Sequence, residues 1–191
     1  MNDELLNIDA FGISLRCLQE ADIQMLCKWR NNDNIRLYME DSRHVSSEVM
    51  NFWIRKIHKN NSTYPYISYY SNKPIGYVEI KNINYNNKSC EGGLFLFRNK
   101  YIGTGISYNI ALCREIVMHK LNLKTLISKI HKNNTRSINF CKKYGGEYSE
   151  KEGDFIVYTC NIVRRRERLK IIAQILGKSK EFAMYFEGDA S

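Results

Sequence analysis

The stretch RNKYIGTGIS, Arg98 to Ser107, decides the reading of this chain. Gly103 and Gly105 stand one residue apart in it. The apolar run GGLFLF, 92–97, leads in, and a segment of helical periodicity, 106–121, leads out. Glycines at a strand-to-helix junction let a backbone approach a phosphate closely. The question is whose phosphate this turn would take.

Two well-known glycine patterns fail. A dinucleotide fingerprint needs a third glycine three residues after Gly105. Tyr108 occupies that place. A Walker loop needs G-x-x-x-x-G-K-[ST], and no such string is present. What remains is KYIGTG, 100–105: a basic residue, two spacers, Gly, any residue, Gly.

The flanking pattern alternates strands and helices. Strands are predicted at 13–18, 64–71, 75–83, 89–97, 125–131 and 154–163. Helices are predicted at 20–32, 46–60, 106–121 and 135–145. In the second of these, Val49, Phe52, Trp53 and Ile57 mark an apolar stripe. The order implies an α/β domain whose ligand turn lies between a strand and its longest core helix.

Composition limits the alternatives. Of 191 residues, 43% are hydrophobic and 26% charged, which is ordinary for a globular domain with one core. The start, MNDELLNIDAFGIS, has no basic segment followed by an apolar run, so the expected location is the cytoplasm. The 6 cysteines form no C-x-x-C pair and the 4 histidines no metal spacing, so no metal is expected. The net charge of +9 favours anionic partners. Charge alone would also allow a nucleic-acid-binding module. That reading leaves KYIGTG unexplained, and no nucleic-acid partner is expected.

A second motif joins the turn. NTRSINFCKKYGG, 134–146, is similar to the segment N-x-x-S/A-x-x-x-Y-x-K-x-G-F of the GCN5-related N-acetyltransferases, and KYIGTG resembles their Q/R-x-x-G-x-G/A turn. Asn134, Ser137, Lys143 and Gly145 match, and Lys100 takes the first place of the turn. The segments KWRNNDNIRLYM, 28–39, and KPIGYVEIKNINYNNKSCEGGLFL, 73–96, resemble one branch of that family. This branch holds an amino-sugar acetyltransferase of pseudaminic acid synthesis and the ribosomal-protein acetyltransferases.

The resemblance implies a fold, a co-substrate and a site. The fold is a mixed, mostly antiparallel sheet flanked by helices, with two strands splayed at the acetyl-CoA site. Acetyl-CoA would lie on Leu96, Phe97, Arg98, Lys100, Ile102, Gly103, Thr104, Gly105 and Ile106, with Asn134, Ser137 and Lys143 from the second motif. A backbone N–H near Leu96 would polarise the thioester oxygen. The acceptor would be a small nucleotide-linked amino sugar, with a protein α-amine as the alternative.

Acetyl transfer to an amine gains from a base, and Glu91 and Glu79 are the candidates within apolar strands. The family places a tyrosine acid at position 141, where this chain has Cys141. Cys141, Tyr144 or solvent would protonate the leaving sulfur. Arg30 could bind a diphosphate, Met39 could pack on a base or sugar, and Asn82 and Asn84 could bind hydroxyls. The acetyltransferase domain is expected over 1–163. Residues 164–191 form a helical extension in which Leu169, Ile172, Ala173 and Leu176 share a face. That face suits the core or a second copy in a homodimer, and the basic side opposite also suits an anionic membrane.

Overall fold

The computed structural model describes residues 7–58 and 62–188. Among them, eight strands form one sheet: β1 (Ile8–Ala10), β2 (Ile13–Cys17), β3 (Tyr64–Tyr70), β4 (Lys73–Asn84), β5 (Ser89–Leu96), β6 (Thr125–His131), β7 (Glu147–Glu152) and β8 (Phe155–Asn161). Their order is β1-β2-β3-β4-β5-β6-β8-β7. Every neighbouring pair is antiparallel except β5 and β6. A parallel pair needs a crossover, and a helix supplies it: α4 (Ile106–Lys120). The mixed, mostly antiparallel sheet with flanking helices is the architecture expected.

Two apolar clusters lie on opposite faces of the sheet. On one face α1 (Ile23–Arg30) and α3 (Ser47–His58) pack against Ile67 and Tyr77, with Phe95 and Phe97 of the β5 end. A short helix, α2 (Asp33–Arg36), follows α1. On the other face lie α4, α5 (Thr135–Lys143), α6 (Ile162–Ile175) and α7 (Ser179–Phe186), packed against Cys90, Leu94 and Leu96.

Helix α4 is buried on every side from Ile110 to Met118. The sheet covers one side. The tail covers another, through Leu169 and Ala173 of α6 and Phe182 of α7. This explains two charges in mid-helix. Glu115 is fully buried and accepts from Nε and Nη2 of the fully buried Arg165, the latter at 3.2 Å. Arg165 also donates to the Cys160 carbonyl at 2.9 Å. Burial alone would lower the Arg165 pKa, and the Glu115 carboxylate more than offsets it. Glu115→Ala would strand that guanidinium, and the expected loss is about 3–5 kcal/mol, measured by urea denaturation.

Several expectations need correction. The helix predicted over 20–32 is a 3-10 turn at Glu20–Asp22 followed by α1, and α2 then begins afresh where the Asn32 side chain accepts from the Asn34 N–H. The stripe on α3 is rotated by one residue. Met50 and Ile54 are buried, Trp53 and Ile57 pack beside them, and Val49 and Phe52 face outward. β1 and β7 were not anticipated. β7 reads EYSEKE and is exposed at every residue, so it lacks the apolar alternation that reveals a strand. Its position at the sheet edge, paired with β8 alone, permits that composition. The tail is two helices: α6 ends at Ile175, and the chain turns away at Gly177, φ +67°, where the Lys178 N–H bonds the Ala173 carbonyl. No helix among the described residues is long and apolar enough to cross a membrane.

Candidate active site

The glycine turn opens α4. Gly103 has φ +81° and Gly105, the N-cap, φ +86°. Both lie where an L side chain is strained. A Cβ built on Gly103 meets nothing within 4 Å, so the space above the turn is open. One built on Gly105 lies 2.8 Å from Cδ2 of Leu176, which brings the tail beside the turn. The Ile102 and Thr104 N–H groups turn back to Asn99 and Tyr101. No backbone carbonyl among the described residues accepts from the N–H groups of Gly103, Gly105, Ile106 or Ser107. Free donors at a helix N-terminus form an anion cradle. Lys100 lies over the Tyr101 ring just before the turn, whereas Arg98 lies over the Phe97 ring and donates from Nε to the Pro74 carbonyl at 3.3 Å, on the α1/α3 side.

Beyond the turn, two strands part. β5 pairs with β6 only from Ser89 to Glu91, against Thr125 to Ile127. β5 continues to Leu96 along β4 alone. The Phe97 N–H donates to the Ile75 carbonyl at 3.1 Å. In an antiparallel pair this fixes the alternation. Gly93 and Phe95 bond to β4, while Gly92, Leu94 and Leu96 aim N–H and C=O into the gap. Leu96 and Leu94 both present backbone groups to the gap. An extended amide-bearing ligand can add to such an edge as a strand would.

The second motif lies beside the gap on the α4 face. Asn134 caps α5, its side chain accepting from the Ser137 N–H at 3.1 Å. Phe140 stacks between Tyr108 of α4, centroids 4.8 Å apart, and Tyr144, at 5.9 Å. Lys143 is exposed at the α5 end. Cys141 is buried beside Ser128 of β6, and burial pushes its thiol up to about 11. Tyr144 is buried too, and burial holds its phenol at about 12.

The α1/α3 face of the gap is polar. Glu79 pairs across the strands with Gly93, and a Cβ on Gly93 would lie 3.0 Å from Glu79 Oε1. Gly93 therefore makes room for this carboxylate over the gap. Tyr77 donates to its Oε2 at 2.8 Å, and Lys81 Nζ lies 3.3 Å from Oε1. Glu91 is farther back, opposite Lys81, with Oε1 accepting from Asn82 Nδ2 at 2.9 Å. The structure thus brings Glu79, Glu91 and Asn82 onto one face, with Cys141 and Tyr144 on the other.

The remaining acceptor candidates separate. Arg30 donates from Nη2 to the Asp41 carbonyl, while its Nη1 is buried without a partner. Burial lowers the Arg30 pKa, with Asp41 acting against it. Arg30 thereby holds the loop 37–45, which carries Met39. Asn84 accepts from the Asn86 and Asn87 N–H groups and builds its own turn. Residues not anticipated close the face. Glu40 of the loop reaches Lys81 at 3.9 Å and Lys129 of β6 at 2.8 Å. No local motif marks them, because the loop and the two strands meet only in the fold.

Known proteins are similar to this chain in sequence and fold. The family model "Acetyltransferase (GNAT) domain" matches residues 15–176. Acetyltransferase PseH of Campylobacter jejuni is 24% identical over 144 residues, covering 75% of this chain and 87% of PseH. The solved structure of FdhC, described as a nucleotide-linked sugar GNAT, superposes with TM-score 0.70 at 23% identity, covering 90% of this chain and 97% of that one. Spermidine N-acetyltransferase from Vibrio cholerae, solved with CoA and spermine, gives TM-score 0.71 at 19% identity, covering 81% and 98%. The chain belongs to the GNAT family of acetyltransferases and is an N-acetyltransferase.

Proposed function

We propose that this enzyme transfers acetyl from acetyl-CoA to the amine of a nucleotide-linked amino-deoxy sugar, in the cytoplasm. One observation carries the reading. The β5–β6 gap joins an unpartnered N–H cradle on the α4 face to a carboxylate cluster on the α1/α3 face. The cradle fits a pyrophosphate, and the free β5 edge fits the amides of pantetheine. Bound there, acetyl-CoA supplies the thioester. One N–H of the free β5 edge, that of Leu96 or of Leu94 one pleat back, meets the thioester oxygen, which favours charge building on it. Glu79, over the gap, accepts the amine proton. Holding both reactants at one opening supplies much of the acceleration.

The similarity to PseH and FdhC supports a sugar acceptor. The acceptor face itself, where Glu79 and Glu40 are linked through Lys81 and Glu40 and Glu152 through Lys129, suits a small polar acceptor carrying an amine. The test is thiol release with a panel of UDP- and dTDP-linked amino sugars, set beside N-terminal peptides. Turnover on peptides alone would move the assignment to protein α-amines. Arg30 acts by holding the loop. Arg30→Ala is expected to raise the acceptor KM about tenfold, the worth of one hydrogen bond from a charged group, with acetyl-CoA KM nearly unchanged. A change confined to acetyl-CoA KM would show that the loop does not serve the acceptor.

A further inference from the structure

A tyrosine is absent at position 141, and the groups nearest that place are weak acids. Cys141 at about 11 and Tyr144 at about 12 both hold their protons more tightly than a free thiol, near ~8.5. A proton moving from either one to a departing thiolate would go uphill. The leaving sulfur needs another source of stabilisation.

Arg114 stands where that source is required. It lies on α4, 3% exposed. A Cβ on Gly92 would be 3.1 Å from its Nη1, so the guanidinium lies against the first β5 residue past the last β5–β6 pair. Its carbon is 5.3 Å from the centre of the Tyr144 ring. Cys141 of α5, Tyr144 at the α5 C-terminus and Cys90 of β5 lie near it. Glu115 is already engaged by Arg165. Among the described residues no carboxylate pairs with Arg114, and its Nε is buried without a partner. A buried cation without an anion is costly unless a ligand brings one.

We propose that the Arg114 guanidinium stabilises the sulfur of CoA as the thioester breaks. This rests on the acetyl-CoA reading given above. In the step, the amine nitrogen bonds the acetyl carbon and gives a proton to Glu79. The carbon–sulfur bond breaks, and its electron pair goes to sulfur. Arg114 contributes charge and N–H donors to the step. It holds the thiolate until solvent protonates it, and Glu79 returns its proton to solvent. The position is reasonable along the chain of contacts. α4 runs from the phosphate cradle at Gly105 back over β5 to Gly92, which is the course pantetheine would follow in the gap.

The test uses CoA itself and needs no acceptor. The thiolate absorbance of bound CoA is titrated against pH, with the desulfo-CoA complex subtracted to remove the protein's own thiols. In the native protein the bound thiol should titrate about one unit or more below the free value, as cysteines do beside a cation. Arg114→Met should bring it back to the free value or above, and Arg114→Lys should keep part of the shift. A native thiol that titrates at or above its free value overturns the assignment, whether or not Arg114→Met folds. An equal shift in native protein and Arg114→Met also overturns it. Calorimetry on the same samples separates the two readings. Failure to bind CoA removes the cofactor reading and this assignment with it. Binding with an unshifted thiol removes Arg114 alone.

Discussion

Gly103→Val is expected to lower acetyl-CoA affinity about 100-fold, the worth of one or two hydrogen bonds to a charged oxygen. The reason is local. Gly103 sits at φ +81°, and its missing Cβ would project into open space above the cradle. A branched side chain there occupies the place of the phosphate and strains the turn that aims the N–H groups. Gly105 gives a contrast. A Cβ there meets only the movable end of Leu176, so Gly105→Ala should act mainly through its backbone, at φ +86°. Calorimetry with acetyl-CoA reads the affinity, and circular dichroism checks that the fold survives. Full affinity in Gly103→Val would mean that the phosphate lies elsewhere, and the cofactor assignment would go with it.

What could be read from the residues was what local chemistry dictates. KYIGTG announces itself because glycine takes the positive φ angles of this turn, +81° at Gly103 and +86° at Gly105, without steric cost. NTRSINFCKKYG announces itself because a capped helix entry and its apolar spacing are near in sequence. Strand positions along the chain could be read from their residue patterns, except where a strand, such as β7, carried no pattern. Both halves of the site depend on contacts that sequence spacing hides. Gly93 serves Glu79 only because the β4–β5 register sets them opposite. Glu40 reaches Lys81 and Lys129 only because the loop folds over two strands. Arg114 and Glu115 did leave a trace. Two charges inside ALCREIVM, 111–118, contradict an apolar helix interior and point to a buried partner. That partner, Arg165, lies in a tail that the turn motif gave no reason to associate with α4. The same buried pair explains why the tail belongs to this core.

The division of labour between two carboxylates gives the other large effect. Both Glu79 and Glu91 face the acceptor side, and spacing along the strands cannot rank them. The register does. Glu79 lies opposite Gly93, within the stretch of β5 that has left β6, so its carboxylate stands at the opening itself. Glu91 lies at the last residue still paired with β6, and its Oε1 is taken by Asn82. Tyr77 and Lys81 orient Glu79 without closing off the gap. Glu79→Gln keeps the shape but removes the basic oxygen, and its one remaining oxygen can accept from Lys81 while its NH2 faces the Tyr77 hydroxyl. Its kcat should fall by about 100-fold or more, the usual worth of a positioned base, with acetyl-CoA affinity unchanged. Glu91→Gln can still accept from Asn82, so its kcat should fall far less. The two variants are compared by thiol release at saturating acetyl-CoA, over a pH range that reaches the free-amine form of the acceptor. A base matters least where the amine is already neutral, so the Glu79→Gln deficit should shrink as pH rises. A deficit that is constant with pH would assign Glu79 to placing the acceptor. A larger loss in Glu91→Gln than in Glu79→Gln would move the base one register step back, to the paired end of β5.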